Sequence, residues 1–370
     1  MGSTRINVEG FFSLLKKLAE TPSPSGFEGR IRELIIGELK PYADELYTDA
    51  MGNLIAVKHG KGSSRLMVAA HMDEIGLIVN HITKEGFIKF LPIGGWADRI
   101  LPAQRVQILT KDRNIVKGVI GVKPPHIMKK EEADKVIPMK DLFIDIGASS
   151  REEVRKLGID VGSPIVMDRD VCRLGNGNIV TGRAFDNKVG VAVMIEFFKS
   201  LGETDVSVYA VATVQEEVGL KGARTASFAI NPNIGIALDT TVASDTPGVP
   251  EPEQVTKIGK GPAIKVMDGR GGSGLISHPE VRELLVKTAE ENSIPYQLEI
   301  LPGGTTDAAV IQLAREGVPA ATISIPTRYI HSPTETLSLD DAVNAVKLLV
   351  KFTERLTDEW VKENLGKRIK

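Results

Sequence analysis

The sequence predicts an α/β protein in which a mainly parallel sheet flanked by helices is interrupted by a small β-rich insertion, residues 75–170. Three observations lead there. From about Cys172 onward, short apolar runs alternate with amphipathic segments of helix length, the pattern of an open sheet covered on both faces. Between Gly76 and Gly121 a series of short strands and turns runs on with no helical period to break it. Finally, Leu66-Met67-Val68-Ala69-Ala70 is apolar at every position, as a strand buried on both faces must be.

The elements follow in order. Phe11, Phe12, Leu14, Leu15 and Leu18 make the apolar stripe of a first helix, and Ser25-Gly26-Phe27-Glu28 has the form of a capping box opening a second, with Ile31, Leu34, Ile35 and Leu39 inside. Strands are expected at 54–58 and 65–70. The insertion contributes strands at 77–79, 87–90, 105–109 and 115–119, with Asp112-Arg113-Asn114 as a hairpin loop. A charged loop at 123–140, opened by Pro124-Pro125, leads to a strand at 142–146 and a short helix from Arg151. Strands are then expected at 206–214, 234–238, 263–267, 296–300 and 320–325, and helices at 188–201, 279–292, 307–315 and 339–356. The catalytic unit is thus divided, 1–74 with 171–370, around 75–170.

Composition narrows the class. A chain of 370 residues is long enough for roughly two to three domains of ~150 residues. With 46 basic against 48 acidic residues the net charge is −2, so nothing demands nucleic acid or an anionic membrane. The N-terminal Met1-Gly2-Ser3-Thr4-Arg5 has no signal-peptide core, and no apolar run reaches the ~18 residues of a membrane span. A single cysteine, Cys172, precludes an internal disulfide and points to the cytoplasm.

In open α/β sheets ligands bind beyond the carboxyl ends of the strands. His71 ends one apolar run, Glu216 and Glu217 follow another, Asp239 ends a third and His331 lies just past a fourth. Asp186 stands before an apolar helix. Taken singly, each has a plain structural explanation: a helix cap for Asp186, a turn for Asp239, a solvated surface for the glutamates. Together they form a nitrogen and oxygen donor set suited to zinc, cobalt or manganese. Asp73, two residues beyond His71 in extended chain, is placed to reach the outer ring nitrogen of that histidine. Of the two adjacent glutamates, one can coordinate metal while the other accepts a proton from activated water.

The segments Ala69-Ala70-His71-Met72-Asp73-Glu74-Ile75-Gly76, Phe185-Asp186-Asn187-Lys188, Gln215-Glu216-Glu217-Val218-Gly219, Ala237-Leu238-Asp239-Thr240 and Tyr329-Ile330-His331-Ser332 resemble those of the tetrahedral (TET) aminopeptidases. The likeness runs over nearly the whole chain and includes Pro124-Pro125-His126 and Gly303-Gly304-Thr305-Thr306-Asp307-Ala308. It implies a zinc-peptidase-like catalytic domain with a barrel-like insertion that mediates dimerisation, and six dimers closed into a dodecamer. It also implies two divalent ions, zinc or cobalt, bridged by Asp186, with His71 and Asp239 completing one site and Glu217 and His331 the other. Glu216 would be the general base acting on a bridging hydroxide, and Asp73 the partner of His71. Many relatives have Asp where this chain has Asn187. The expected substrates are short peptides with a free N-terminus. The run Asp245-Thr246-Pro247-Gly248-Val249-Pro250-Glu251 and the stretch around Gly303 are most like members preferring neutral, leucine-type residues.

Rival readings share some of these residues. A dinuclear amidase, deacylase or carboxypeptidase could use the same metal core, and Arg328 near His331 could serve a carboxypeptidase by binding a substrate carboxylate. A glucanase would need two carboxylates facing each other across a bond, which neighbouring Glu216 and Glu217 are poorly placed to supply. Gly269-Arg270-Gly271-Gly272-Ser273-Gly274 matches a dinucleotide fingerprint, but Leu275 to Pro279 separate it from the following helix, so it cannot set a pyrophosphate on that N-terminus.

Overall fold

A computed structural model describes residues 6–128, 135–175 and 177–366. Residues 1–5, inspected above for a signal sequence, and 129–134 of the charged loop lie outside the described residues. The chain opens with helices α1 (Val8–Ala19) and α2 (Gly29–Leu39), then strands β1 (Glu45–Thr48), β2 (Leu54–Lys58) and β3 (Arg65–His71). Strands β4 (Gly76–Ile82), β5 (Ile88–Ile93), β6 (Arg105–Leu109), β7 (Ile115–Gly121), β8 (Phe143–Asp145) and β9 (Pro164–Met167) close a barrel in the order β4-β5-β8-β7-β6-β9. Within this stretch lies the short helix α3 (Arg151–Lys156). The barrel has a core of its own, built from residues such as Leu77, Val79, Ile88, Ile108, Ile120 and Ile165.

The remaining strands return to the first sheet: β10 (Cys172–Arg173), β11 (Ile179–Gly182), β12 (Ser207–Thr213), β13 (Ile234–Val242), β14 (Ala263–Met267), β15 (Gln297–Ile300), β16 (Ala320–Arg328) and β17 (Glu335–Ser338). Helices α4 (Phe185–Ser200), α5 (Lys221–Ile230), α6 (Pro279–Glu291), α7 (Ala308–Ile311), α8 (Leu339–Thr353) and α9 (Asp358–Asn364) alternate with them. The eleven-stranded sheet runs β1-β2-β12-β3-β13-β16-β17-β11-β10, with β14 and β15 branching from β16. Its centre, β12-β3-β13-β16, is parallel as expected. Antiparallel pairs extend it at both sides, so the whole sheet is mixed.

Strand β3 shows why the apolar run was uninterrupted. Leu66, Val68 and Ala70 face the larger core beneath α1, α2, α4, α6 and α8, while Met67 and Ala69 face a second core beneath α5 and α7. The capping box expected at Ser25–Glu28 does not form. Gly26 turns with φ +87°, Glu28 is itself the N-cap without a side-chain cap bond, and the Ser25 hydroxyl donates instead to Asp73, 2.6 Å away. The 307–315 helix is reduced to α7, and α5, β1, β9, β10, β11, β17 and α9 were not foreseen. The glycine run at 269–274 is a short turn between β14 and a bridge from Met267 to Ile276, well ahead of α6.

Candidate metal centre and catalytic cleft

The C-terminal ends of β3, β12, β13 and β16 converge on one cleft. Six of the seven residues singled out in the sequence, His71, Asp186, Glu216, Glu217, Asp239 and His331, line a cavity of about 220 Å³ there. Asp239 does not end its strand, because β13 continues to Val242 alongside β16. Its pairing with β3 stops at Ala237, and the gap that opens between the two strands leaves the Asp239 carboxylate facing His71. His331 follows β16 through a turn in which Tyr329 and His331 both take positive φ.

Asp186 is the hub. Its Oδ1 lies 3.3 Å from His71 Nε2 and its Oδ2 lies 3.5 Å from His331 Nε2. His71 Nε2 is also 3.5 Å from Asp239 Oδ1 and 3.8 Å from Glu216 Oε2, while His331 Nε2 is 3.2 Å from Glu217 Oε2. His71, Asp186 and Glu217 form one group able to hold a metal ion, and His71, Glu216 and Asp239 another, with ligand atoms within 4.8 Å of one another in each. Asp186 Oδ1 and Glu217 Oε1 are buried with no hydrogen-bond partner among the described residues. Buried carboxylate oxygens require a partner, and a set of imidazoles and carboxylates of this kind fits divalent cations.

Asp73 is found behind His71, although its contact with the ring, Oδ1 to Nδ1, is 3.5 Å and longer than an ordinary hydrogen bond. It accepts the backbone N–H of Glu216 at 3.0 Å and that of Glu217 at 3.3 Å, so one carboxylate holds both glutamates in place after the positive-φ turn at Gln215. Burial works against ionisation of Asp73, but His71 and these bonds outweigh it and keep its pKa below the usual carboxylate range.

The electrostatics follow from crowding. Burial raises the pKa of Glu216, Glu217 and Asp239, with neighbouring carboxylates adding to the effect. Burial opposes protonation of His331, yet Asp186 and Glu217 push its pKa up to about 11. His71 is likewise raised well above its ordinary value against burial, principally by Glu216. Such a cleft draws in positive charge.

Several supporting residues were assigned no catalytic or ligand role in the sequence analysis. Glu335, buried at the start of β17, accepts the Asp186 N–H at 2.9 Å and the His331 N–H at 3.0 Å, so it pins both arms of the hub. Buried Lys188 donates to Ser23 Oγ at 2.5 Å and to the Met72 carbonyl, bracing the segment between His71 and Asp73. Arg183 and Glu74 form a buried ion pair beside it. Asn187 donates to the Leu238 carbonyl at 2.8 Å, tying the start of α4 to β13; the Asp186–Asn187 peptide is cis. Asp307 accepts the Thr213 hydroxyl at 2.6 Å, and burial pushes its pKa up to about 7. The inserted barrel also reaches the cleft, since a Cβ on Gly95 would stand 3.2 Å from His331 Nδ1. Arg328 is taken up by Asp245 through two bonds of 2.8 and 2.7 Å. A larger cavity of about 590 Å³ lies elsewhere, between α2 and the β6–β7 hairpin, and holds none of these residues.

A mixed sheet whose central parallel strands lead to two histidines and a ring of carboxylates has the donor set of a hydrolytic enzyme. The chain belongs to the M42 glutamyl aminopeptidase family, whose sequence model matches residues 52–348. It is 49% identical to aminopeptidase APDkam598 from the archaeon Desulfurococcus kamchatkensis, with a TM-score of 0.94 over 98% of this chain and 99% of that one. The Pyrococcus horikoshii TET1 peptidase, described as able to assemble into a tetrahedron or a large octahedral shell, is 38% identical with a TM-score of 0.84, covering 94% of this chain and all of that one. The lysyl aminopeptidase of Pyrococcus furiosus is 41% identical over 350 residues, 93% of this chain and 97% of its own. The protein is thus a peptide hydrolase of the TET aminopeptidase fold. Among the described residues no helix is long and apolar enough to cross a membrane.

Proposed function

We propose that this chain is a metal-dependent aminopeptidase releasing N-terminal residues, preferentially neutral or hydrophobic ones, from short peptides. The observation that carries the reading is the hub, one carboxylate touching both histidines at the wall of a small cleft. Asp186 would be shared by two divalent ions, zinc or cobalt, with His71 and Asp239 on one side and Glu217 and His331 on the other. Bound cations would supply Lewis-acid polarisation of the scissile carbonyl and acidify a coordinated water. Glu216, desolvated and therefore a stronger base than a surface glutamate, takes the water's proton and delivers it to the leaving amine. Asp73 orients His71 and fixes the Glu216–Glu217 backbone. The site carboxylates hold the free amine of the substrate, and Val242, Leu301 and Ile330 give the cleft an apolar lining. The barrel serves dimerisation, six dimers make a dodecamer, and the enzyme works in the cytoplasm.

A carboxypeptidase reading is less favoured, because the Arg328 guanidinium is already held by Asp245. The test is hydrolysis of one leucyl-initiated peptide, N-terminally free or acetylated, after chelation and after return of zinc or cobalt. Metal-restored cleavage of the free peptide alone is expected; cleavage of the acetylated peptide would replace this reading with an endopeptidase, deacylase or carboxypeptidase.

A further inference from the structure

Not every donor of the cleft is placed by a strand. His71 closes β3 and Asp239 lies within β13, both inside the parallel centre of the sheet. His331 instead sits three residues past the end of β16, in a turn where Tyr329 has φ +61° and His331 itself φ +59°. Left-handed backbone at a residue with a Cβ persists only where its surroundings hold it. The His331 side chain is also 38% exposed, against 2% for His71. Asp186 is similarly placed: it follows Ala184 at φ +56°, and its own φ −76°, ψ 103° are not those of the helix that begins there. Glu216 and Glu217 are held by Asp73. The shared carboxylate and the outer histidine need an anchor of their own.

Glu335 supplies it. Its backbone is fixed at the head of β17, opposite Gly182 of β11, where the Thr181 hydroxyl donates to the Glu335 carbonyl at 2.9 Å. The buried side chain divides its two oxygens, Oε2 taking the Asp186 N–H and Oε1 the His331 N–H. One carboxylate on a sheet strand thus sets the spacing between two segments far apart in the chain. It can do so because both of its oxygens accept; a side-chain amide has one acceptor and would turn an NH₂ group toward the remaining backbone N–H. Glu217 and His331, whose side chains meet at 3.2 Å, depend on that spacing. His71 and Asp239, which meet at 3.5 Å from adjacent strands, do not.

We infer that Glu335 is a positioning residue for one ion of the pair: it holds Asp186 and His331 at the separation that the Glu217–His331 side requires, and its loss weakens that side while the His71–Asp239 side keeps its ion. The inference rests on the two-ion reading given above and adds to it the residue on which the second ion depends. Two buried carboxylates then share the support of the donor set. Asp73 serves His71 and the two glutamates, and Glu335 serves the shared aspartate and the outer histidine. Hydrogen-bonding partners behind metal ligands typically change metal affinity by roughly ten- to a hundredfold.

The experiment titrates zinc into the chelator-stripped full chain in competition with a coloured chelator, giving two dissociation constants for the wild type and for Glu335→Gln. His331→Ala, which removes a ligand outright, marks the constant that belongs to the Glu217–His331 side. Glu335→Gln should weaken that constant at least about tenfold and leave the other within about threefold of wild type. Unchanged constants overturn the inference. So does equal weakening of both, because a general loosening of the fold acts on the two sides alike. If Glu335→Gln does not fold, hydrogen exchange in the metal-free wild type decides. The Asp186 and His331 amides should exchange at least about tenfold more slowly than in an unfolded chain, and free exchange of either overturns the inference. A wild type that binds fewer than two zinc ions removes the two-ion reading together with Glu335's role, whereas two ions with parallel losses in the variant remove that role alone.

Discussion

Glu216 and Glu217 share a peptide bond, and in the proposed mechanism they divide the work. Glu217 contacts His331, while Glu216 stands nearer His71, and the backbone N–H groups of both are held by Asp73. Because the division depends on one side chain remaining a proton acceptor, Glu216→Gln tests it with little change of shape. Turnover should fall by at least about a hundredfold while bound metal, measured by elemental analysis, stays at the wild-type level. Equal loss of both would move Glu216 into the ligand set. At this scale the sequence was informative wherever a polar residue closed an apolar run, as at His71 and the glutamate pair. It was silent on Glu335, whose strand is four residues long and too short to show a period. Lys188 was hidden for another reason: a lysine inside an apolar helix is ordinarily an exposed one, and only the fold shows it turned inward onto Met72.

Elements were legible in proportion to how much apolar surface they bury through large side chains. Helix α8 announces itself with Leu339, Val343, Val346, Leu349 and Val350, whereas α5 buries mostly Gly222, Ala223, Ala226 and Ser227, too small to stand out as a stripe. The capping box failed because its serine is engaged elsewhere in the fold, at Asp73, a contact 48 residues distant. Element junctions carry their own chemistry as well. Asp341, in the first turn of α8, accepts the N–H groups of Gly259 at 2.6 Å and Gly261 at 2.7 Å, fastening the turn ahead of β14. Burial nonetheless pushes its pKa from 3.8 up to about 6. A carboxyl raised on folding favours the native state in its protonated form, so its contribution is complete below about pH 4 and is lost as the pH rises through 6. Between pH 4 and 7 the wild type should therefore lose about 2–3 kcal/mol relative to Asp341→Asn, which does not titrate. Paired urea unfolding curves at the two pH values measure this; a constant difference would refute it.

At the scale of the whole molecule, the division into a helix-covered sheet and a closed barrel was visible as a change of texture along the chain, from strand–helix alternation to strands alone. The antiparallel flanks of the sheet were not, because β10, β11 and β17 are only two to four residues long. Assembly follows from neither pattern. If the barrel mediates dimers and dimers close into a dodecamer, light scattering on the purified protein should give about twelve times 40.0 kDa. A variant carrying charge on the exposed barrel residues Leu91 and Val119 should give a smaller particle while preserving the monomer's circular dichroism. A monomeric wild type would separate this chain from the shell-forming behaviour described for the Pyrococcus horikoshii relative.

The glycine at 95 has an implication for how this architecture can vary. The barrel lies between His71 and Asp186 in the chain, its first strand begins five residues after His71, and its Gly94–Gly95 turn packs against Glu217 and His331. The barrel is therefore not structurally independent of the reactive centre. A barrel transplanted from a relative would bring its own turn to the histidine, and a Cβ at that one position would press on the imidazole from 3.2 Å. The barrel and the reactive centre are thus coupled through the space left for a single methyl group.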